Sequence, residues 1–202
     1  MRQVRIGGTP VFWGAKRCFD LGVSVLILPA LCLVGVVLLL VNPLLNPGPL
    51  LYRQARIGHR GQTFVMYKFR TMRSAQDSAR YADAERHRIP RFGRVLRRYR
   101  LDELPQVVNV LRGEMSLIGP RPEQPEFVRE YVQSLPGYTL RHMVRPGLSG
   151  LSQVRQGYTS DRPGTRRKLA FDLRYIRRSG FRMEAYVFWR TLVTVATGFG
   201  AR

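Results

Sequence analysis

Acidic residues are scarce in this chain. Only 13 Asp and Glu stand against 34 Lys and Arg in 202 residues, which gives a formal net charge of +21. This balance excludes an acidic water-soluble enzyme. Hydrophobic residues make up 45% of the chain and aromatic residues 10%, so the charge is not that of a disordered basic tail. It indicates an anionic partner: nucleic acid, a phospholipid surface or a phosphorylated substrate.

Cysteine and histidine are also rare. Cys18 and Cys32 lie in or beside one apolar stretch without CxxC spacing, which excludes a disulfide scaffold and fits a reducing compartment. The three isolated histidines (His59, His87 and His142) offer no zinc-binding group. The chain contains no GxGxxG, GxxxxGK[ST] or GxSxG motif, so the usual nucleotide-binding and hydrolase classes have no support.

One long apolar run is present. Residues 21–41 carry no charge, and as one helix they would measure about 31 Å, enough to cross the hydrocarbon of a bilayer. The run is longer than the apolar region of a typical signal peptide, and no small-residue cleavage site follows it. The sequence therefore predicts a membrane protein.

The course of this run through the membrane has two interpretations. Pro29 lies inside it and predicts a kink. Basic residues flank both ends, and because they prefer the cytoplasmic side, a re-entrant helix would keep both clusters inside. A Pro-kinked spanning anchor is the alternative, since spanning helices tolerate proline. Lys16 and Arg17 are predicted to extend toward lipid phosphates.

The remainder predicts short elements joined by loops. Two strands are expected within residues 50–70, around a turn at Gly58–Gly61. Helical segments are expected over 91–101, 102–112, 126–134 and 166–176, a polar helix or loop over 74–90, and a loop over 144–164. Residues 181–195 mix aromatic residues with arginines, which fits either a helix lying in the membrane interface or a buried terminal core helix.

The only adjacent acidic pair is Asp102–Glu103. The local pattern favours a helix start, with Asp102 as N-cap and Glu103 in the first turn. The surroundings suggest another role, because five arginines lie just upstream (Arg91, Arg94, Arg97, Arg98 and Arg100). A carboxylate kept ionised by such cations is a competent nucleophile or metal ligand, and the cations themselves bind phosphate. Phosphoryl transfer needs this combination.

Further cations are candidates for binding phosphate. Lys68 lies in TFVMYKFRTM, Arg121 stands between two prolines, and Arg141 and Arg145 lie in LRHMVRPGLSG. A cation between two prolines loses little conformational entropy when it binds an anion. Taken singly, each of these residues also fits a solvated or lipid-facing charge.

Four motifs in order resemble one bacterial family. KRCFD (16–20) and an apolar helix precede YKFRTM (67–72), LDELPQVVNVLRGEMSLIGPRP (101–122) and RHMVRPGLSG (141–150). These motifs resemble the bacterial sugar transferase family, the monotopic phosphoglycosyl transferases that act on polyprenyl phosphate. The resemblance runs from Lys16 to the C-terminus, and the closing stretch is most similar to members from exopolysaccharide operons.

The resemblance implies an activity and a set of site residues. Such enzymes use Mg²⁺ and move a sugar-1-phosphate from a UDP-sugar to undecaprenyl phosphate, giving undecaprenyl-diphosphate-sugar and UMP. By this match Asp102 is the nucleophile that forms a phospho-sugar aspartyl intermediate, and both Asp102 and Glu103 are candidate metal ligands. The cations that match family positions at the phosphates or in the family's RPG loop are Lys68, Arg97, Arg121 and Arg145.

The resemblance also implies an α+β, mainly helical fold, a small mixed α/β catalytic body with one N-terminal re-entrant membrane helix and interfacial amphipathic helices. The expected boundaries are a basic lead-in over 1–15, a Pro-broken membrane helix over 16–47 and a catalytic domain over 48–202 on the cytoplasmic face of the inner membrane. The family's usual Ser-Pro break corresponds to Cys32–Leu33 here, which leaves Pro29 to break the run.

Two other classes compete with the transferase. The charge alone would fit a membrane-tethered nucleic-acid-binding protein, but the basic residues are spread over the chain and no nucleic-acid-binding motif appears. A non-catalytic membrane scaffold would use the same surface charge. The aromatic residues of the last helix would serve a homodimer as well as lipid.

Overall fold

A long N-terminal helix is the first element of the fold. In the computed structural model, which describes residues 5–73, 88–156 and 162–197, helix α1 runs from Pro10 to Leu45. Thr9 caps it by accepting a hydrogen bond from the Phe12 amide at 3.2 Å, and Pro10 suits the first turn because a donor there would be unpaired. The predicted lead-in over 1–15 is therefore too long, since residues 10–15 are already helical.

Helix α1 is continuous through Pro29. The expected break at this proline does not interrupt the helical structure, because the helix continues through both Pro29 and Pro43. Pro29 is exposed, and a proline removes only one helical donor, so the neighbouring turns can hold the helix together. Whether α1 dips into the membrane and returns stays a prediction.

One face of α1 lies against the rest of the protein. Its buried positions recur mainly at four-residue intervals, which places them on one side of the helix (Phe12, Lys16, Asp20, Ser24, Leu38 and Asn42). The other faces expose leucine and valine, and only 11% of the most apolar window is buried. By length and composition α1 could cross a membrane, and its exposed apolar surface indicates membrane association.

The two predicted strands are confirmed. β1 (Leu51–Ile57) and β2 (Thr63–Phe69) pair antiparallel, with Leu51 opposite Phe69. The turn between them contains two left-handed residues, Arg60 and Gly61. A second sheet pairs β3 (Ser116–Ile118) with β4 (Gly147–Ser149) in parallel.

The helices after the hairpin are α2 (Arg91–Arg98), α3 (Gln106–Leu111), α4 (Pro125–Ser134), α5 (Leu151–Gln156), α6 (Arg162–Arg177) and α7 (Phe181–Thr197). Those predicted near α2, α4, α6 and α7 are confirmed. The predicted loop over 144–164 is wrong where the structure describes it, because this range contains β4, α5 and the start of α6; residues 157–161 lie outside the described part of the chain. Of the predicted element over 74–90, residues 74–87 lie outside the described part of the chain.

Two apolar clusters position the site. The larger lies between β2, α3, β3, α6 and α7, and α7 contributes the fully buried Val187 while leaving Trp189 65% exposed. Helix α7 therefore combines the two alternatives, a core face and an exposed aromatic face. The smaller cluster joins Leu38 of α1 to Phe69 and Leu96, and it holds the short turn that precedes α3.

Candidate active site

The adjacent acids lie on a single 3₁₀ turn, Leu101–Glu103, between α2 and α3. Arg100 before the turn has a left-handed backbone (φ 57°, ψ 18°), which non-glycine residues seldom adopt. Leu101 and Leu104 pack against the Leu38 cluster on either side of the pair. The acids are consequently turned inward, with Asp102 8% and Glu103 9% exposed.

Asp102 is not a helix cap. The prediction of a helix over 102–112 starting at Asp102 is wrong, because α3 begins at Gln106 and no side chain caps it. The physical reason is Pro105, which has no N–H to continue a helical ladder back to residue 101. The acidic pair therefore occupies a separate turn.

Three cations surround the Glu103 carboxylate. Arg121 Nη2 lies 2.5 Å and Lys68 Nζ 3.1 Å from Oε1, while Arg100 Nη1 lies 3.9 Å from Oε2. Burial alone would raise the pKa of Glu103, but Arg121 and Lys68 outweigh it and hold that pKa well below its usual range. Glu103 is thus a permanent anion whose oxygens are occupied.

The Asp102 carboxylate differs from that of Glu103 in both its contacts and its pKa. Among the residues that the structure describes, it accepts no hydrogen bond and forms no ion pair. Burial first, and then the charge of Glu103, raise its pKa to about 6 against the pull of the nearby cations (Lys68, Arg97 and Arg121). The arginines are expected to keep this group ionised, but burial and the charge of Glu103 oppose them and weaken its acidity; at pH 7 most of it is still ionised.

The cations come from three elements. Lys68 lies on β2, Arg97 on α2 and Arg121 in the loop after β3. Arg97 Nε donates to Thr71 Oγ1 at 2.9 Å, which fixes its side chain. The structure thus brings three of the four expected phosphate-binding cations around the Asp102 carboxylate, an arrangement suited to nucleophilic attack on a phosphorus atom.

Arg145 lies elsewhere. Its Nε donates to the Gly113 carbonyl at 2.9 Å, and Arg17 donates to the Val110 and Leu111 carbonyls at 2.7 and 3.2 Å. Both cations therefore sit at the carbonyl end of α3, where they complement the helix dipole. Together with Lys16 they line a cavity of about 250 Å³ that does not include Asp102 or Glu103.

The predicted lipid contacts of Lys16 and Arg17 are replaced by contacts within the protein. Lys16 is buried, with its Nζ 2.7 Å from Glu184 and 3.7 Å from Asp20. Its partner Glu184 lies on α7, far along the chain, so the local sequence offered no signal for this pair. Of the three predicted membrane residues, Pro29 alone is exposed.

Sequence reasoning missed several residues of the site. The sequence pattern places Arg100 among the upstream arginines but does not predict its contact with Glu103, and it does not predict Thr71 as the acceptor for Arg97. Arg141 was a candidate phosphate ligand, but the structure buries it against Asp172. The motif RHMVRPG marked this segment without distinguishing a ligand-binding arginine from an internal one.

Metal binding at this turn would depend on few protein ligands. In residues 5–73, 88–156 and 162–197 there is no group of three or more His, Cys, Asp or Glu that could hold a metal ion. Mg²⁺ at phosphoryl-transfer sites is commonly held by one or two carboxylates, with waters and substrate phosphates completing its coordination. The oxygens of Asp102, which form no ion pair in the described part of the chain, fit this role, whereas those of Glu103 are already occupied by cations.

Most of the chain matches a known protein family. Residues 11–198 match the family model described as Bacterial sugar transferase. The chain belongs to the bacterial sugar transferase family. The family membership expected from the motifs is confirmed.

Individual relatives agree. The chain is 40% identical over 196 residues to an Aeromonas hydrophila UDP-N-acetylgalactosamine-undecaprenyl-phosphate N-acetylgalactosaminephosphotransferase, covering 96% of this chain and 46% of the relative. It is 39% identical to a Caulobacter vibrioides UDP-glucose:undecaprenyl-phosphate glucose-1-phosphate transferase, covering 89% and 66%. A Rhizobium leguminosarum exopolysaccharide production protein is 38% identical, covering 90% and 95%. The chain thus spans about half of the first of these bacterial sugar transferases and nearly all of the third.

Proposed function

We propose that this bacterial sugar transferase moves a sugar-1-phosphate from a UDP-sugar to undecaprenyl phosphate, giving undecaprenyl-diphosphate-sugar and UMP. One observation carries the proposal: two adjacent buried carboxylates share a turn, and cations occupy one of them while the other forms no ion pair with any residue that the structure describes. The names of the relatives, which combine a UDP-sugar with undecaprenyl phosphate, support the substrate class.

The reaction would use Asp102 as nucleophile. A carboxylate oxygen of Asp102 attacks the phosphorus that bears the sugar, the bond from that phosphorus to the bridging oxygen of UMP breaks, and UMP leaves with the electron pair. An oxygen of undecaprenyl phosphate then attacks the same phosphorus and releases the Asp102 carboxylate. Lys68, Arg97 and Arg121 would bind the phosphate oxygens and stabilise the charge that develops on them.

Glu103 would organise these cations. Its charge holds Arg121 and Lys68 within contact of the turn before any substrate arrives. Preorganised cations need no rearrangement at the moment of reaction, which is the main source of electrostatic catalysis. Mg²⁺, held by Asp102 and substrate oxygens, would neutralise part of the diphosphate charge when bound.

We further propose that α1 is re-entrant and that the body lies on the cytoplasmic face of the inner membrane. Both ends of α1 contact the same body: Lys16 pairs with Glu184 near its start, and Asn46 donates to the Arg70 carbonyl at 3.2 Å just past its end. A straight span would carry these ends to opposite sides of the bilayer. The exposed face of α7 (Phe181, Trp189 and Leu192) would contact lipid or a second copy of the chain.

For the pathway and for the sugar of the donor, the proposal names a class and not an individual compound. The exopolysaccharide relative supports a first membrane step in surface glycan synthesis, and the named sugars of the relatives are N-acetylgalactosamine and glucose. We propose a UDP-hexose or a UDP-N-acetylhexosamine as donor. A panel of UDP-sugars in one assay would identify it, since such donors differ by a hydroxyl configuration or one substituent.

The test measures UMP release from UDP-sugar with undecaprenyl phosphate and Mg²⁺. Wild-type protein is expected to release UMP, and Asp102→Asn is expected to abolish release because an amide is a far poorer nucleophile than a carboxylate. Glu126→Gln makes the same chemical change on an exposed residue of α4 and should retain activity. Turnover by Asp102→Asn at the wild-type rate would contradict the covalent mechanism, and an inactive wild type would leave the membrane scaffold as the better hypothesis.

A further inference from the structure

The loop that carries Arg121 is held by its carbonyl groups. Its sequence is Pro-Arg-Pro, so two of its three residues have no N–H to donate. Each carbonyl from residue 120 to residue 123 accepts a hydrogen bond from a different donor: Gly147 N–H at 3.0 Å, Arg141 Nη2 at 2.8 Å, Arg56 Nη1 at 3.3 Å and Ile57 N–H at 3.0 Å, in that order. The backbone is thereby fixed on both sides of Arg121.

Of these donors, Arg141 is the one that holds the carbonyl of Arg121 itself. Its Nη2 donates to the Arg121 carbonyl and also to Asp172 Oδ2 at 2.7 Å. Its Nε donates to the same Asp172 oxygen at 3.2 Å, and its Nη1 donates to the Tyr138 hydroxyl at 2.8 Å. Every guanidinium nitrogen is therefore engaged, so the planar group has one available orientation.

Asp172 fixes this arginine from α6. It is 1% exposed and Arg141 is 3% exposed, so the pair is shielded from water. The second oxygen of Asp172 accepts a hydrogen bond from Ser152 Oγ of α5 at 2.9 Å. Ser152 and Asp172 therefore act on the backbone of Arg121 through Arg141, and none of these three residues is one of the proposed catalytic groups.

We propose that Asp172 and Arg141 are positioning residues that set the place of the Arg121 guanidinium against Glu103. This inference rests on the proposed function, because Arg121 acts there on the substrate phosphates. The connection is short: Asp172 orients Arg141, Arg141 holds the Arg121 carbonyl, and the Arg121 side chain reaches Glu103 Oε1 at 2.5 Å. A displacement of about 1 Å in such a group can cost about 100-fold in rate.

The test is a double-mutant cycle between Asp172 and Arg121. Asp172→Asn is expected to lower kcat for UMP release by about 10- to 100-fold. In the Arg121→Lys background, where the fork that contacts Glu103 is already lost, Asp172→Asn should change kcat less than about twofold. Equal fold-losses in the two backgrounds would overturn the inference, because a merely structural defect would multiply with Arg121→Lys.

Two matched controls separate position from stability. Glu184→Gln neutralises one partner of another ion pair, the part-buried pair of Glu184 with Lys16, which in the described part of the chain does not contact the 120–123 loop. Its effect on kcat should multiply with that of Arg121→Lys. Glu126→Gln neutralises an exposed acid and should leave kcat unchanged in both backgrounds. If Glu184→Gln is as non-additive with Arg121→Lys as Asp172→Asn is, the inference fails.

Ser152→Ala covers the case in which Asp172→Asn does not fold. It removes only the hydrogen bond to the second oxygen of Asp172 and should give a smaller loss of kcat that again vanishes in the Arg121→Lys background. A loss that persists there would refute the inference. A wild-type protein without UMP release would instead refute the proposed function, so the two failures are distinguishable.

Discussion

The unequal acidic pair predicts how activity depends on pH. Burial and the charge of Glu103 raise the pKa of Asp102 from an ordinary 3.8 to about 6. Because Asp102, as the proposed nucleophile, must be ionised, kcat/KM should fall about tenfold for each pH unit below about 6 and level off above it. Near pH 7 about nine-tenths of Asp102 is ionised, so activity there should be close to its maximum.

Replacing Glu103 tests the electrostatic part of this effect. The total rise is about 2 pH units, with burial as the first cause and Glu103 as the second. Glu103→Gln removes the like charge and leaves Lys68 and Arg121 without that anion. The acid limb should therefore move to lower pH by on the order of one unit, even though maximal activity falls because the cations lose their organiser.

The assay is the pH profile of kcat/KM, from about pH 5 to pH 9, measured by UMP release. Glu126→Gln is the matched control, since it removes one exposed carboxylate and should leave the midpoint unchanged. An acid limb at the same pH in wild type and Glu103→Gln would refute the coupling between the two carboxylates. A wild-type profile that stays flat down to about pH 5 would refute the raised pKa itself.

Three further predictions follow from the same structure. Asp102→Asn should raise the free energy of unfolding at pH 7 by up to about 3 kcal/mol, because it removes a charged group whose pKa is raised in the folded state. The gain should fade as the pH drops from about 6 toward 3.8, and a series of thermal melts across this pH range measures it. Arg145→Gln should leave kcat unchanged and lower the free energy of unfolding by about 1 kcal/mol, because a cation is lost at the carbonyl end of α3. A loss of kcat as large as that of Arg121→Lys would contradict this. Single cysteines added near each terminus, after replacement of Cys18 and Cys32, should label from the same side of sealed vesicles, whereas opposite-sided protection would restore a spanning anchor.

The sequence predicted elements whose signal is local. The hairpin at 51–69 follows from two β-rich runs around glycines, and α6 and α7 follow from helical periodicity. β3 and β4 have three residues each, which is too short for any periodicity, and they exist because Gly119 and Gly147 let two backbones approach closely. Such long-range pairing leaves no pattern in a local stretch of sequence.

The motif located the acidic pair but not the difference between its members. That difference arises because Arg121, eighteen residues further along, reaches Glu103 and not Asp102. Lys16 shows the same limitation: beside an apolar run a lysine is expected to face lipid, yet its partner lies 168 residues away. Charge pairing between distant segments depends on the fold, so sequence alone predicts the presence of these groups and not their partners.

The contacts at the two ends of α1 have a mechanical consequence. The Lys16–Glu184 pair and the Asn46–Arg70 hydrogen bonds fasten the body to the helix at two separated points. With a single contact to α1, the body could rotate about that contact and change the height of the Asp102 carboxylate above the lipid headgroups. Two separated contacts prevent this rotation. In the proposed membrane orientation, the fold itself would set the distance from Asp102 to the bilayer plane, so that a water-borne donor and a lipid-borne acceptor would meet at a constant level.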